Sequence, residues 1–218
     1  MRPRRQQRNP GPGANRRRPS LCLNRPALFR TQLRAIFRAT AAGPVRIMYP
    51  MVSTLEELKR AKALTEEVRL ELNADPVEIG IMIEVPSAVM MAAELAREVD
   101  FFSIGSNDLT QYCLAVDRMH PLLSRQADGL HPAVLRMIDA TVRAADQAGI
   151  WVGVCGGIAG DPRGVVILTG LGVRELSVSI PSIAAVKAQI RGFSLEQARG
   201  LAARALACDN AAAVRRLS

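Results

Sequence analysis

Residues 78–105 have the sequence EIGIMIEVPSAVMMAAELAREVDFFSIG, in which two short apolar runs flank a stretch with helical periodicity. The runs Glu78–Val85 and Asp100–Gly105 predict two buried β-strands, because they are rich in Ile and Phe and end at Pro or Gly. The stretch between them begins with Pro86, which suits the first turn of a helix. This order of elements predicts a parallel βαβ unit.

The same alternation continues on both sides of this unit. It predicts three more strands, at Val45–Pro50, Trp151–Val154 and Glu175–Ser179. In the second helix, Ser53 and Glu56 have the spacing of a capping box. The fold class is therefore α/β, with a parallel sheet in a barrel or an open arrangement. The predicted helices cover about residues 26–41, 53–73, 86–98, 132–148, 162–171, 181–190 and 194–208.

The formal net charge of +9 comes mainly from the N-terminus. Residues 1–20 hold seven arginines and no acidic residue, whereas the other 198 residues carry 22 basic and 20 acidic groups. We expect residues 1–20 to form a disordered Arg/Pro/Gly-rich tail and residues 21–218 to form the folded domain. A nucleic-acid-binding domain would spread basic residues over a folded face, so the charge distribution argues against a nucleic-acid partner. A non-catalytic module with a basic tail stays open as an alternative.

Composition and cysteine spacing exclude several classes of protein. The chain is 49% hydrophobic, yet it has no apolar stretch of membrane-spanning length and no signal-peptide pattern, so we expect a cytoplasmic protein. Cys22, Cys113, Cys155 and Cys208 are widely spaced and form no CxxC pair. Neither a disulfide framework nor a zinc site is indicated.

Residues with useful chemistry follow the predicted strands. Glu84 ends the strand at 78–85, Asn107 and Asp108 come just after the next strand, and Cys155 begins a small-residue loop after Trp151–Val154. The carboxyl ends of parallel strands meet at one edge, where ligands bind in barrels and open α/β sheets. The sequence therefore predicts one site formed from several strand ends.

Glu84 and Asp108 are candidate metal ligands. A lone carboxylate at the end of an apolar strand is costly to bury, so Glu84 needs a partner. Two converging carboxylates suit Mg²⁺, which binds one or two carboxylates together with substrate oxygens. The alternative is that Glu84 pairs with an arginine while Asp108 caps a helix over Leu109–Leu114. The two carboxylates together favour the metal.

Cys155 and Arg118 are candidates for roles in catalysis and substrate binding. A thiol at the mouth can act as a nucleophile or a proton donor, although a free cysteine is more often a small buried apolar residue. The guanidinium of Arg118 has a geometry that suits a phosphate group. The alternative is that Arg118 is a solvated arginine on the surface. His120 and His131 have no neighbouring acid or nucleophile in sequence, so we interpret them as polar loop or helix-start residues.

Six motifs together resemble one family. They are RPALFRTQLRAI, RIMYPM, IGIMIEVPSA, DFFSIGSNDLTQYCLAVDR, LHPAVL and VCGGIAGD. In this order and spacing they resemble the C-terminal domain of the phosphoenolpyruvate–protein phosphotransferases, Enzyme I of the bacterial sugar phosphotransferase system. The resemblance covers about residues 21–208. The related pyruvate phosphate dikinases and phosphoenolpyruvate (PEP) synthases are the alternative.

The resemblance implies a (β/α)₈ TIM barrel of the PEP/pyruvate-binding type, of which about five of eight strand–helix units are present here. Such a domain binds PEP and Mg²⁺ at its carboxyl-terminal mouth. The phosphoryl group passes to a histidine on a separate domain and then to the carrier protein HPr during sugar uptake, and pyruvate is released. The resemblance also implies a homodimer formed through this domain.

The resemblance also assigns roles to particular residues. Glu84 and Asp108 match the family's Mg²⁺ ligands. Asn107, together with Asp108, matches residues that contact PEP, and Arg118 of the AVDR motif matches the arginine that grips its phosphate. Cys155 matches the thiol that protonates the enolate carbon to give pyruvate.

The chain departs from the family pattern at two levels. Many members have Glu at the position of Gly157. Glycine at this position resembles the fused fructose-type multiphosphoryl transfer proteins. Three strand–helix units, the two arginines that they carry and the histidine domain have no match, so we expect an incomplete chain that is inactive alone. Its open sheet would expose edges and apolar faces. We interpret the charge of residues 1–20 as marking where the homologous sequence breaks off, by a frameshift or an altered start.

Overall fold

A five-stranded parallel sheet organises the chain in the computed structural model, which describes residues 23–118, 120–121 and 126–217. The predicted tail at residues 1–20 and Cys22 lie outside these ranges. The strand order follows the sequence, and each neighbouring pair is parallel, as in a partial (β/α)₈ barrel. The strands are β1 (Arg46–Tyr49), β2 (Glu78–Ile83), β3 (Phe101–Gly105), β4 (Trp151–Cys155) and β5 (Glu175–Ser177).

All five predicted strands are confirmed, with ends that differ by no more than two residues. One of these differences matters for the site. Cys155 is the last residue of β4 and pairs with Gly105, whereas the sequence placed it in the following loop. Its side-chain direction is therefore fixed by the pleat of the sheet.

Helices cover one face of the sheet. That face carries Ile81, Ile83, Ile104, Val152 and Val154, which are buried in one core with apolar side chains from the helices. None of the helices in the described ranges is long and apolar enough to cross a bilayer. The helices are α1 (Pro26–Ala39), α2 (Leu55–Glu71), α3 (Pro86–Met90), α4 (Ala92–Ala96), α5 (Ser106–Leu114), α6 (Pro132–Ala148), α7 (Gly157–Gly160), α8 (Pro162–Leu171), α9 (Ile183–Ile190), α10 (Leu195–Ala207) and α11 (Ala211–Arg216), with 3₁₀ turns at Thr40–Ala42 and Ile180–Ser182.

The predicted capping box at Ser53 and Glu56 is wrong by one residue. Thr54 is the N-cap of α2, and its hydroxyl accepts a hydrogen bond from the Glu57 N–H at 3.2 Å. The Glu57 carboxylate reaches back to the N–H and hydroxyl of Ser53, at 3.0 and 2.8 Å. Ser53 is thus already bound to Glu57, and the helix begins at Leu55. The predicted helix at 86–98 is also divided, at Met91, into α3 and α4.

The opposite face of the sheet has a cluster of side chains at the amino ends of the strands, which we call the floor cluster. The rings of Phe101 and Trp151 stack at 4.7 Å between centroids, and the Arg46 guanidinium lies 5.2 Å from the Trp151 ring centroid. Arg46 also pairs with Glu78. A Cβ on Gly80 would lie 2.4 Å from the Phe101 ring, so only glycine fits there. The floor cluster fills this end and leaves the carboxyl ends to polar groups.

Substitution of Gly170 tests the packing of α8 against α10. A Cβ at this position would lie 2.1 Å from the carbonyl oxygen of Ala198, a backbone atom that cannot move alone. We expect Gly170→Ala to lower the free energy of unfolding, measured by urea titration, by about 1–3 kcal/mol. Gly200→Ala is the matched control, because its Cβ would meet nothing within 4 Å. Alanine there should raise stability by about 0.5–1 kcal/mol. Equal effects of both substitutions would contradict this description of the interface.

Candidate active site

The strand register places three residues in one row across the carboxyl edge of the sheet. Ile83 pairs with Ile104, so Glu84 lies level with Gly105, and Gly105 in turn pairs with Cys155. Successive side chains along a strand point to opposite faces, so Glu84 and Cys155 lie on the face of the floor cluster. The structure therefore brings the predicted carboxylate and thiol to either side of a glycine.

Glu84 is buried, with 2% of its surface exposed. Its Oε1 accepts a hydrogen bond from the Met51 N–H at 2.8 Å. Met51 adopts a left-handed conformation with φ of 55°, which is uncommon for a residue with a side chain. Met51 follows the last residue of β1 by two positions, and it is this residue whose N–H binds the Glu84 carboxylate.

Gly105 makes room for the carboxylate, and the sequence analysis missed this role. A Cβ on Gly105 would lie 2.7 Å from Oε2 of Glu84 and 2.9 Å from its Cβ. Any side chain would therefore displace Glu84. A glycine as the last residue of a predicted strand, level with a predicted buried acid on the neighbouring strand, is the signal that could have revealed it.

The surroundings of Cys155 raise the pKa of its thiol. Burial is the largest cause, the negative charge of Glu84 is the next, and Asp108 adds to them, while a hydrogen bond with Ser103 opposes the shift. The thiol is thus protonated at neutral pH. A thiol held in this form suits proton donation better than nucleophilic attack, which needs the thiolate.

Asp108 and Arg118 form an ion pair beside this row. Arg118 Nη2 lies 3.3 Å from Asp108 Oδ1, and the two side chains are 29% and 16% exposed. The alternative in which Asp108 caps a helix is wrong, because α5 begins at Ser106 and Asp108 lies within its first turn. The helix ends at Ala115, whose left-handed φ of 52° turns the chain, and the Arg118 N–H then donates to Gln111 Oε1 at 3.3 Å.

Two hydrogen bonds connect the first residues of α5, which follow β3, with the end of β4 and the start of α7. Asn107 Oδ1 accepts from the Gly157 N–H at 3.0 Å, and the Ser106 hydroxyl donates to the Cys155 carbonyl at 2.6 Å. Gly156, with φ of 98°, passes so close that a Cβ would lie 2.4 Å from Ser106 Oγ. With Oδ1 of Asn107 engaged, its amide NH₂ is the donor left for a ligand.

A cavity of about 570 Å³ opens beside these residues. Its lining is rich in polar and charged side chains and in exposed backbone from glycine. This volume and lining suit a small polar ligand. The lining residues are Ser106, Asn107, Thr110, Arg118, Ala127, Asp128, Gly129, Leu130, Gly157, Ile158, Asp161 and Arg215.

The donor set at the mouth fits Mg²⁺ in kind. Among the described residues, no group of three or more His, Cys, Asp or Glu side chains could hold a metal ion. Glu84 and Asp108 supply two hard carboxylates, and their charges both act on the Cys155 thiol. Mg²⁺ commonly takes one or two carboxylates and completes its shell with water and substrate oxygens, so two are sufficient.

These features define a class of protein. The chain is an α/β protein of the barrel type, with acidic, amide, guanidinium and thiol groups at the carboxyl ends of adjacent strands. A family described as PEP-utilising enzyme, PEP-binding domain, matches residues 4–195, a range that begins inside the Arg-rich N-terminal segment. The chain belongs to this family.

Known proteins with similar sequences carry related names. The chain is 69% identical over 196 residues to a multiphosphoryl transfer protein of Rhodobacter capsulatus, covering 90% of this chain and 24% of that protein. It is 52% identical over 198 residues to one of Xanthomonas campestris pv. campestris, with the same coverage. It is 44% identical over 194 residues to a phosphoenolpyruvate–protein phosphotransferase of Staphylococcus carnosus, covering 86% of this chain and 34% of that protein. The chain thus spans from 24% to 34% of the length of these relatives.

A solved structure supports the fold. A citrate lyase from Burkholderia xenovorans superposes with a TM-score of 0.59, covering 85% of this chain and 65% of that chain. The sequences are 22% identical, so the likeness concerns the fold alone.

Alkylation of Cys155 tests the electrostatics of the row. Glu84→Gln keeps the shape and the acceptor for the Met51 N–H but removes the charge, so the thiol pKa should fall and the thiolate fraction at pH 8 should rise. We expect Cys155 to react severalfold faster with iodoacetamide, as quantified by mass spectrometry of its peptide. Glu78→Gln, on the same strand but paired with Arg46 in the floor cluster, is the matched control. An unchanged rate in Glu84→Gln would refute the proposed influence of this carboxylate on the thiol.

Proposed function

We propose that this chain is the PEP-binding part of a phosphoenolpyruvate–protein phosphotransferase of the multiphosphoryl transfer type. The observation that carries the proposal is the row formed by Glu84, Gly105 and Cys155, next to the Asp108–Arg118 pair. Family membership and the names of the relatives support PEP as the substrate. The reaction is the Mg²⁺-dependent transfer of phosphoryl from PEP, which contributes to sugar uptake.

Arg118 and Asn107 bind the substrate. Both line the cavity, and Arg118 is held in place by Asp108 on one side and by its backbone bond to Gln111 on the other. A guanidinium can donate two parallel hydrogen bonds to a phosphate, and the Asn107 NH₂ group can add a third. A preorganised arginine stabilises the charge that spreads over the phosphoryl oxygens during transfer.

Glu84 and Asp108 would hold Mg²⁺ together with oxygens of the substrate. When bound there, the ion supplies positive charge that stabilises the enolate and phosphoryl oxygens. The protein contributes a buried and oriented carboxylate. Glu84 is held by the hydrogen bond from the Met51 N–H and lies close against the backbone of Gly105.

Cys155 supplies the proton that completes pyruvate. When the phosphorus–oxygen bond of PEP breaks, its electron pair stays on the oxygen and gives the enolate of pyruvate. The enolate methylene carbon then takes the proton from the Cys155 thiol, and the resulting thiolate regains a proton from water. The raised thiol pKa keeps this donor loaded at neutral pH.

The acceptor belongs to a part of the relatives that this chain does not match. The phosphoryl group passes to a histidine of a separate domain and then to HPr, and the domain carrying the PEP site forms a homodimer. His131 serves a different purpose here, since its Nδ1 accepts the Ala133 N–H at the start of α6. We expect the acceptor in the remaining length of such proteins, since this chain spans from 24% to 34% of its relatives.

Binding of PEP tests the role of Arg118. We expect the full 218-residue chain to bind PEP in the presence of Mg²⁺, measured by isothermal titration calorimetry. Arg118→Gln should weaken binding about tenfold or more, because a charged hydrogen bond contributes about 1.5–3 kcal/mol. Arg143→Gln is the matched control, since Arg143 pairs with Asp139 on the exposed side of α6. Equal affinities of the two variants would exclude Arg118 from the phosphate site.

Exchange of the methyl protons of pyruvate tests Cys155 without any phosphoryl acceptor. In the reverse direction the residue that protonates the enolate also removes a proton from pyruvate, so the chain should exchange pyruvate protons with D₂O when Mg²⁺ is present. The measurement is the loss of the methyl signal in proton NMR. Cys155→Ala should reduce the rate to that of the buffer, whereas Cys113→Ala should leave it unchanged. Exchange that survives in Cys155→Ala would assign the proton transfer to another group.

A further inference from the structure

The C-terminal helix reaches the rim of the cavity through Arg215, a residue that the sequence analysis did not identify. The helix α11 begins at an N-cap, Asn210, whose Oδ1 accepts the Ala213 N–H at 2.8 Å. Val214 is completely buried in the main core, so the helix is held against the domain. The next residue, Arg215, extends from this anchored helix into the cavity lining.

Arg215 binds two carboxylates that are far apart in sequence. Its Nε and Nη2 donate to the two oxygens of Asp128 at 2.7 and 2.8 Å, and its Nη1 donates to Asp161 Oδ2 at 3.0 Å. A two-pronged contact of this kind fixes both the distance and the plane of the guanidinium. The hydrogen bonds from Arg215 are the main cause that lowers the pKa of Asp128, and the charge of Arg215 adds to it, so this pair is ionised at neutral pH.

Each carboxylate is itself built into a loop at the mouth. Asp128 Oδ1 accepts the Leu130 N–H at 3.0 Å, in the segment that leads from Arg118 to α6. Asp161 Oδ1 caps α8 by accepting from the N–H groups of Arg163 and Gly164, at 2.8 and 3.1 Å. Asp161 directly follows α7, which starts just beyond Cys155. Arg215 thus joins the segment 126–131, which precedes α6, to the connection between α7 and α8.

The charges argue against a role for Arg215 as a direct anion ligand. One guanidinium between two carboxylates leaves a group with a net negative charge, which does not attract phosphate. Arg118 differs, because within the described residues its guanidinium has one ion-pair contact, at 3.3 Å. The two arginines of this cavity therefore differ in what they bind: Arg118 suits an anionic ligand, whereas Arg215 binds two carboxylates of the protein.

We propose that Arg215 is a positioning residue of the PEP site, which holds two walls of the cavity, the segment 126–131 and the start of α8, at a fixed separation. This inference rests on the proposed function. Arg118 and Asn107 line the same cavity, so the spacing of its walls has to match the small substrate that they would hold. Because α11 is anchored independently in the core, Arg215 fixes this spacing from a third element.

The test compares Arg215→Gln with Arg216→Gln in the full chain. Both arginines are exposed residues of α11, and Arg216 is not among the cavity-lining residues. We expect Arg215→Gln to weaken PEP binding about tenfold, since displaced cavity walls no longer match the substrate. Arg215→Lys keeps the positive charge but loses the planar guanidinium that binds both carboxylates. Its affinity for PEP should lie between those of the parent chain and Arg215→Gln. Amide hydrogen exchange should quicken locally, over residues 126–130 and 156–164.

The outcomes separate this inference from the function on which it rests. If PEP affinity and local exchange in Arg215→Gln match those of Arg216→Gln, the positioning role is overturned. Faster exchange spread over the whole chain overturns it as well, because Arg215 would then act through global stability. A parent chain that binds no PEP overturns the proposed function, and the positioning role with it.

Discussion

The burial of one carboxylate, that of Glu84, constrains the rest of the mouth. An ionised carboxyl group removed from water is costly unless polar partners surround it. The Met51 N–H after β1 donates a hydrogen bond to this carboxylate, and the lack of a side chain at Gly105, at the end of β3, leaves room for it. These contacts come from the ends of three adjacent strands, β1, β2 and β3. The parallel register brings those ends to the same level.

The same carboxylate affects the chemistry of its neighbour on β4. A thiol in water at the edge of a sheet would titrate near its ordinary range, whereas burial and the charge of Glu84 raise the pKa of Cys155. Glu84, the proposed metal ligand, thus acts on Cys155, the proposed proton donor, before any substrate arrives. A cation bound by the carboxylates would offset their negative charge. The pKa of the Cys155 thiol would then be lower, and the thiol would give up its proton more readily.

Local patterns predict the strands and most helices because the apolar period and the positions of proline are properties of short segments. The start of α2 shows where such reasoning fails. The sequence STLEE at residues 53–57 has two overlapping capping-box spacings, and the hydrogen bonds of Glu57 with Ser53 and Thr54 decide between them. Strand ends predict which residues meet at the mouth, since register is shared across the sheet. Contacts such as Arg215 with Asp128, separated by 87 residues, have no local signature.

The floor cluster and the mouth are coupled through the edge strand β1. This strand has four residues and, among the described residues, pairs only with β2, so its own ladder holds it weakly. Arg46 compensates by pairing with Glu78 and covering the Trp151 ring, which binds the start of β1 to two other strands. Because β1 is short, fixing its start also fixes its end, where the chain continues to Met51. The aromatic and ionic contacts at the floor therefore support the hydrogen bond that holds Glu84 at the opposite end of the sheet.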